Sequence, residues 1–136
     1  MKNLVPNLAV KNIQESVEYY IKHFEFELQM AVDTTKDGFD TVFKDGKNYI
    51  WAMITKDEVS FMLQSIQSIE EDVGSFFDKL GGSLTLYIEV EDAEKLYTQL
   101  QNKVKIYKEL HTTWYGQKEF YVEDLNGYIL GFASKV

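Results

Sequence analysis

The chain contains the same local pattern twice, 80 residues apart, and this repeat restricts the possible folds more than any other feature. Strand-like apolar runs at 4–10 and 84–90 lead to Asn12 and Asp92, polar residues that favour the start of a helix. Apolar side chains at helical spacing follow each of these residues. Two copies of one strand–cap–helix unit predict two structural modules of the same kind.

Three further strands are predicted after each helix, so each module is a βαβββ unit and the fold class is α+β. The first module is expected at 1–66 and the second at 83–136, together forming one structural domain. The segment 67–82, which is acidic and contains two adjacent glycines, is predicted to be a linker with a short helix around 73–77. The remaining strands are predicted at 26–32, at 39–54 with a break near 45–46, and at 59–65, 104–110, 117–123 and 128–134.

The balance of charges restricts the class of partner. The 136 residues carry 22 acidic and 14 basic side chains, a net charge of −8, which argues against nucleic acid because phosphate binding needs a basic face. Every basic side chain is lysine, so the planar fork of arginine is not offered to a carboxylate or phosphate ligand. An acidic chain with 15% aromatic residues suits a cationic or neutral small molecule.

Two absences in the sequence bear on location. No apolar run approaches the roughly 18 residues that span a bilayer, so neither a membrane segment nor a membrane partner is expected. The chain has no cysteine, which excludes disulfides and thiolate chemistry and fits a cytoplasmic protein.

The final hairpin, at 114–133, relates the chain to a known family. It follows the pattern W-x-G-x-x-E-F-x-V-x-D-x-x-G, with a tight turn at 124–127 in which Gly127 supplies a positive φ. This hairpin resembles the closing hairpin of the vicinal-oxygen-chelate superfamily, which contains glyoxalase I, extradiol dioxygenases and bleomycin-resistance proteins, and it is most similar to the bleomycin-resistance branch. The resemblance implies two βαβββ modules whose curved mixed sheets form a cup-shaped cleft.

The resemblance also locates four positions at which metal-dependent members of this superfamily bind their ion. In this chain they are Val5, Met62, Thr85 and Gly131. Valine and glycine have no ligand atom, and the methionine thioether is poorly suited to Zn, Ni, Fe or Mn. The two histidines, His23 and His111, fall elsewhere. We therefore expect neither a metal site nor a cofactor.

Strand alternation predicts which side chains line the cup, because one anchored position fixes a whole sheet face. A four-residue turn at 55–58 would pair Trp51 with Met62, and a three-residue loop with a bulge at Gly127 would pair Tyr121 with Gly131. Trp114 precedes a strand where bleomycin-resistance proteins present a ligand-stacking tryptophan. The predicted ligand-binding residues are Asn7, Trp51, Met62, Tyr87, Glu89, Trp114, Glu119 and Tyr121.

These features predict a metal-independent protein that sequesters a cationic or aromatic small molecule without catalysis. Two alternatives remain: a glyoxalase-like lyase, isomerase or dioxygenase, and a non-catalytic regulatory or interaction protein. The resemblance further implies a symmetric homodimer in which a cleft combines Trp51 of one chain with Trp114 of the other.

Overall fold

The computed structural model describes residues 1–136, and the chain divides into two compact units, Met1–Asp78 and Lys79–Val136. The first unit contains one four-stranded sheet in the order β1-β4-β3-β2, in which β1 is parallel to β4 and the other pairs are antiparallel. Its elements are β1 (Asn7–Val10), α1 (Ile13–Phe24), β2 (Glu27–Asp33), β3 (Tyr49–Lys56), β4 (Val59–Ser65) and α2 (Ile66–Val73).

The second unit repeats this arrangement, with the sheet order β5-β8-β7-β6 and β5 parallel to β8. Its elements are β5 (Thr85–Glu89), α3 (Ala93–Leu100), β6 (Lys105–Thr112), β7 (Gln117–Glu123) and β8 (Ile129–Lys135). Two four-stranded mixed sheets and three helices confirm the predicted α+β class with two βαβββ modules. The longest helix has 12 residues, and no helix is long and apolar enough to cross a membrane.

The two repeated helices begin in the same way. The Asn12 side chain accepts a hydrogen bond from the backbone N–H of Glu15 at 2.9 Å, and the Asp92 side chain accepts one from the N–H of Lys95 at 2.9 Å. Each carboxamide or carboxylate satisfies an N–H that has no partner within the helix. The predicted caps, and their spacing of 80 residues, are confirmed.

Each sheet packs one apolar face against its helix. In the first unit Val17 and Tyr20 of α1 are fully buried, as are Ile54 and Leu63 of the sheet. In the second unit Ala93 and Leu100 of α3 pack against four buried residues of the last hairpin, which are Phe120, Val122, Leu130 and Phe132. The rings of Phe120 and Phe132 stack with centroids 5.3 Å apart. The opposite face of each sheet is not covered by the repeated helix of its own unit, α1 or α3.

Two predicted strand boundaries are wrong. The segment 39–48, expected as strand, is loop apart from a single bridge between Asp40 and Ala31, because Gly38 and Gly46 adopt φ values of +82° and +78° that break an extended run. The first strand begins at Asn7 rather than at residue 4, since Pro6 has no N–H to donate to the ladder. Leu4, the first residue of the predicted strand, is 83% exposed.

The segment expected as a linker contains α2. This helix begins after Ser65, whose side chain accepts a hydrogen bond from the N–H of Ser68, and its last residue is Val73, so it ends where the short helix was expected to begin. Ser68 and Ile69 are buried, so the N-terminal half of the segment 67–82 is part of the packed first unit.

One predicted strand register is correct and one is shifted. Tyr121 pairs with Gly131 as predicted, and the N–H of Asp124 donates to the carbonyl of Tyr128, which leaves a three-residue loop containing Gly127. In contrast, Trp51 pairs with Gln64 and not with Met62, because the β3–β4 turn has two residues, not four. The shift equals two residues, so Trp51 and Met62 still lie on the same face.

Candidate functional site

Four of the five predicted ligand-binding residues of the second unit lie on the sheet face opposite α3, and the fifth, Trp114, lies in the turn before β7. One row across the four strands consists of Glu89, Ala133, Glu119 and His111, and the next begins with Tyr87, Gly131 and Tyr121. Directly opposed side chains in neighbouring strands lie on the same face, about 5 Å apart. We call this surface the Glu119 face and define it by Tyr87, Glu89, His111, Glu119, Tyr121 and Gly131.

A buried carboxylate lies at the centre of the Glu119 face. Only 3% of Glu119 is exposed. The Tyr87 hydroxyl donates to its Oε2 at 3.0 Å, and the Tyr115 hydroxyl donates to its Oε1 at 2.8 Å. His111 Nε2 lies 3.4 Å from the same Oε1, while its Nδ1 hydrogen-bonds the Glu109 carbonyl at 2.8 Å. Hydrogen bonds from neutral hydroxyls satisfy the carboxylate and leave its formal charge in place.

The tyrosines around Glu119 stay protonated over a wide pH range. Burial of the Tyr87 hydroxyl, followed by its hydrogen bond to Glu119 and the charge of that residue, raises the pKa of Tyr87 to about 12. The hydrogen bond to Glu119 is the largest cause of the raised pKa of Tyr115, and burial is the largest cause for Tyr121. Glu119 contributes to all three shifts, and the hydroxyls of Tyr87 and Tyr115 donate to it at hydrogen-bond distance.

Two aromatic rings meet at the entry to β7, and one of them, Tyr115, donates its hydroxyl to this carboxylate. Trp114 is 94% exposed, and its ring is nearly perpendicular to that of Tyr115, at 89° with a centroid distance of 5.2 Å. The turn is held by the Gly116 N–H bonded to the Thr113 carbonyl at 3.2 Å, and Gly116 has a φ of +81°. Such exposure of the largest side chain is unusual for a residue that serves only packing.

Tyr115 and His111 are contacts of Glu119 that the sequence analysis missed. The register of β6 and β7 pairs His111 with Glu119, and the Thr113–Gln117 turn brings Tyr115 back toward a residue four positions later. The only signal in the sequence was an aromatic residue directly after Trp114, in a turn just before the strand.

Position 131 has no room for the metal-binding side chain that related enzymes carry there. The Tyr121 ring lies against Gly131, and a β-carbon at position 131 would be 2.6 Å from Tyr121 Cε1. Real β-carbons do not approach other atoms so closely, so any side chain at 131 requires Tyr121 to move. At the second position of this unit, Thr85 is exposed at the start of β5.

The first unit offers no better ligand set. Val5 lies before β1, and Met62 pairs with Asn7 on one side and Met53 on the other. No group of three or more His, Cys, Asp or Glu side chains is placed to hold a metal ion. The residues at the four family positions do not fit a metal, and we derive no chemistry through one.

The three predicted residues of the first unit share one face but make different contacts. Asn7 Nδ2 donates to Gln64 Oε1 at 2.8 Å, and Gln64 Nε2 donates to Ser68 and Asp72 of α2. Trp51 and Met62 are half-buried. The amide of Asn7 is therefore engaged within the unit, whereas the Trp51 ring and the Met62 thioether contribute apolar surface.

A separate cavity of about 720 Å³ in the first unit lies at the N-terminal ends of α1 and α2. Lys11, Lys36, Lys47, Glu15 and Glu71 are among its lining residues, and none of the predicted ligand-binding residues is. Lys47 is paired with Asp40 at 2.8 Å. The mixture of charges in this cavity gives no single ligand preference.

Comparison with known proteins agrees with the observed fold. The family model of the glyoxalase/bleomycin resistance protein/dioxygenase superfamily matches residues 4–132, while no curated protein has a detectable sequence match. A glyoxalase-related enzyme from Fulvimarina pelagi is 18% identical with a TM-score of 0.72, covering 98% of this chain and 88% of its own. TioX from Micromonospora sp. ML1 is 14% identical with a TM-score of 0.70, and all of both chains is covered.

A third solved structure is the bleomycin-binding protein of Streptomyces verticillus in complex with copper(II)-bleomycin. It is 16% identical to this chain, has a TM-score of 0.61, and the alignment covers 97% of this chain and 94% of its own. Identities this low establish a common fold and nothing finer, but the family model extends over nearly the whole sequence. The protein is therefore a member of the glyoxalase/bleomycin resistance protein/dioxygenase superfamily.

Proposed function

We propose that this protein binds a cationic, partly aromatic small molecule without a metal ion and sequesters it unchanged. The observation that supports this proposal most directly is the buried Glu119 carboxylate, which accepts a hydrogen bond from Tyr115, a residue whose ring contacts the exposed ring of Trp114. An ion held in a low-dielectric setting attracts an opposite charge more strongly than one in water. Aromatic faces add stacking and cation–π attraction.

The charge of the whole chain supports the same class of ligand. A net charge of −8 favours the approach of cations over anions, and no arginine competes for Glu119. The bleomycin-binding protein of similar fold binds copper(II)-bleomycin, which makes a glycopeptide of that class a reasonable first ligand to test.

Binding can be measured by tryptophan fluorescence, since the chain has only Trp51 and Trp114. Quenching that is present in the unmodified protein and absent in Trp114→Phe comes from a ligand that stacks on Trp114. The panel contains a bleomycin-class glycopeptide, a neutral aromatic compound and an anionic one, with metal-stripped protein. We expect saturable quenching with the cationic compound alone.

Glu119→Gln tests the role of the buried charge, and Glu58→Gln, in the exposed β3–β4 turn, is its matched control with the same change in net charge. Glu119→Gln should weaken binding at least tenfold, about 1.4 kcal/mol. Equal affinities for the two variants would refute the role of Glu119. Stoichiometric binding of Zn, Ni, Fe or Mn to the purified chain would instead favour the lyase, isomerase or dioxygenase alternative.

The homodimer is part of the same proposal. Exposed apolar side chains in the second unit, among them Leu84 and Leu125, supply surface that a second copy can cover. Light scattering at micromolar concentration tests it directly, and a monomer would remove any cleft shared between Trp51 of one chain and Trp114 of another.

A further inference from the structure

The Glu119 carboxylate has little capacity left for a ligand that brings N–H donors. An ionised carboxylate offers about four lone-pair positions. The Tyr87 and Tyr115 hydroxyls occupy one on each oxygen, at 3.0 Å and 2.8 Å, and the His111 ring lies beside Oε1 at 3.4 Å. Only 3% of Glu119 is exposed, so a ligand reaches the remaining lone pairs only by moving the groups around them. A primary amine or guanidinium would have to displace one of these partners.

Where His111 is neutral, the negative charge of Glu119 nevertheless remains available to a cation that needs no hydrogen bond. A hydroxyl donor stabilises a carboxylate without neutralising it, and Glu119 is 3% exposed, so water screens its charge only weakly. A phenol that donates its O–H to a carboxylate gains partial negative charge on its oxygen, and this charge makes the ring more electron-rich. The tyrosine rings around Glu119 thereby become better surfaces for a cation.

The aromatic rings at this site have the arrangement that a bulky cation uses. Trp114 and Tyr115 are perpendicular, with centroids 5.2 Å apart, and form two walls of a corner. Trp114, Tyr115 and Tyr87 are all at least 47% exposed, so their faces are open to a ligand. Aromatic walls of this type bind quaternary ammonium groups, whose charge is spread over methyl groups that donate no strong hydrogen bond.

We infer that the cation recognised at the Glu119 face is a quaternary or otherwise fully alkylated ammonium group, in preference to a primary amine or a guanidinium. This inference rests on the proposed function, because it names the chemical class of ligand for the same site. It goes further in stating that the tyrosine hydroxyls determine selectivity: they occupy the carboxylate and thereby discriminate against cations that carry N–H donors.

A matched ligand series tests this selectivity. Benzyltrimethylammonium, benzylammonium and benzyl alcohol share an aromatic ring and differ in methylation and charge. With the tryptophan quenching that is lost in Trp114→Phe as the readout, benzyltrimethylammonium should bind at least tenfold more tightly than either of the others. Tyr115→Phe frees a lone pair of Oε1, so it should improve the affinity for benzylammonium relative to benzyltrimethylammonium. Tyr107→Phe removes an exposed hydroxyl elsewhere in the unit and should leave the ratio unchanged.

The outcomes separate this inference from the proposed function. If benzylammonium binds as tightly as the quaternary compound and Glu119→Gln abolishes both, the inference is overturned while cation binding stands. If benzyl alcohol binds as well as the quaternary compound, charge is irrelevant and both fail. If the quaternary compound does not bind at all, the inference is overturned, and the glycopeptide panel decides the proposed function independently.

Discussion

The ring of Tyr121 fills the space into which a side chain at Gly131 would project, with Cε1 2.6 Å from an ideal β-carbon at that position. The two residues are direct partners in the β7–β8 ladder, so the contact follows from strand register. An aromatic ring laid over a strand glycine replaces the packing that the glycine lacks. In this protein the Tyr121 ring thus fills the space beside position 131, where the family resemblance places a metal-binding side chain.

Gly131→Ala should lower the free energy of unfolding by about 1–3 kcal/mol, the usual cost of adding a group to a packed site. Urea denaturation measures it. Tyr121→Ala removes the ring and costs stability of its own, but Gly131→Ala in that background should then be nearly neutral. Additive losses in the double variant would show that the ring and position 131 do not compete for space.

Loss of the Tyr87 phenol proton should lower the free energy of unfolding at high pH. Its folded pKa of about 12 lies above the ordinary value of 10.0, so the folded state holds the phenol proton more tightly than the unfolded chain does. This contribution to stability is complete below about pH 10 and is lost as the pH rises through about 12.

The measurement is the free energy of unfolding from pH 9 to 12, with tyrosinate absorbance recorded in parallel. In Tyr87→Phe the decline above pH 10 should be shallower, although Tyr115 and Tyr121, whose pKa values are also raised, retain part of it. Tyr107→Phe serves as the control and should decline as the unmodified protein does. The same decline in Tyr87→Phe would mean that its hydroxyl is not held by Glu119.

Trp114 and Phe120 should differ strongly in their effects on stability. Trp114 is 94% exposed and Phe120 is completely buried against Phe132. Phe120→Ala should cost about 3–5 kcal/mol through lost burial and a residual cavity. Trp114→Ala, at a surface position, should change the free energy of unfolding by no more than about 0.5 kcal/mol. Urea denaturation of both variants decides the point, and the reverse order would mean that the faces of β7 are misassigned.

Much of the scaffold was predictable because local chemistry determines it. The Asn12 and Asp92 caps, the strands at 59–65 and 117–123 and the pairing of Tyr121 with Gly131 all follow from residue type, alternation and turn residues. The pairing of Trp51 was predicted two residues away from its true partner because the turn is shorter than expected. Asp57 adopts a φ of +51° there, a conformation that aspartate adopts in some turns and not in others, so the sequence does not determine the length of the turn.

The candidate site was less predictable, because it depends on contacts between elements. Alternation placed Tyr87 and Glu119 on one face, but only the Thr113–Gln117 turn brings the Tyr115 hydroxyl to Glu119 Oε1. The exposure of Trp114 likewise depends on how that turn projects from the sheet. Sequence periodicity contains no information on the direction of a turn, so the donors around the carboxylate emerge only from the structure.

The duplicated caps allow a test of whether the two modules depend on equivalent local interactions. Asn12→Ala and Asp92→Ala should each lower the free energy of unfolding by about 1 kcal/mol, because each leaves a helix N–H without its side-chain acceptor. Asn12→Ser and Asp92→Ser keep an oxygen acceptor and should recover most of the loss. Asn102→Ala, at an exposed position outside any helix, is the control and should stay within about 0.5 kcal/mol. The two caps lie in different units, so their losses should add in the double variant. A cap substitution no more costly than Asn102→Ala would show that packing alone determines where that helix begins.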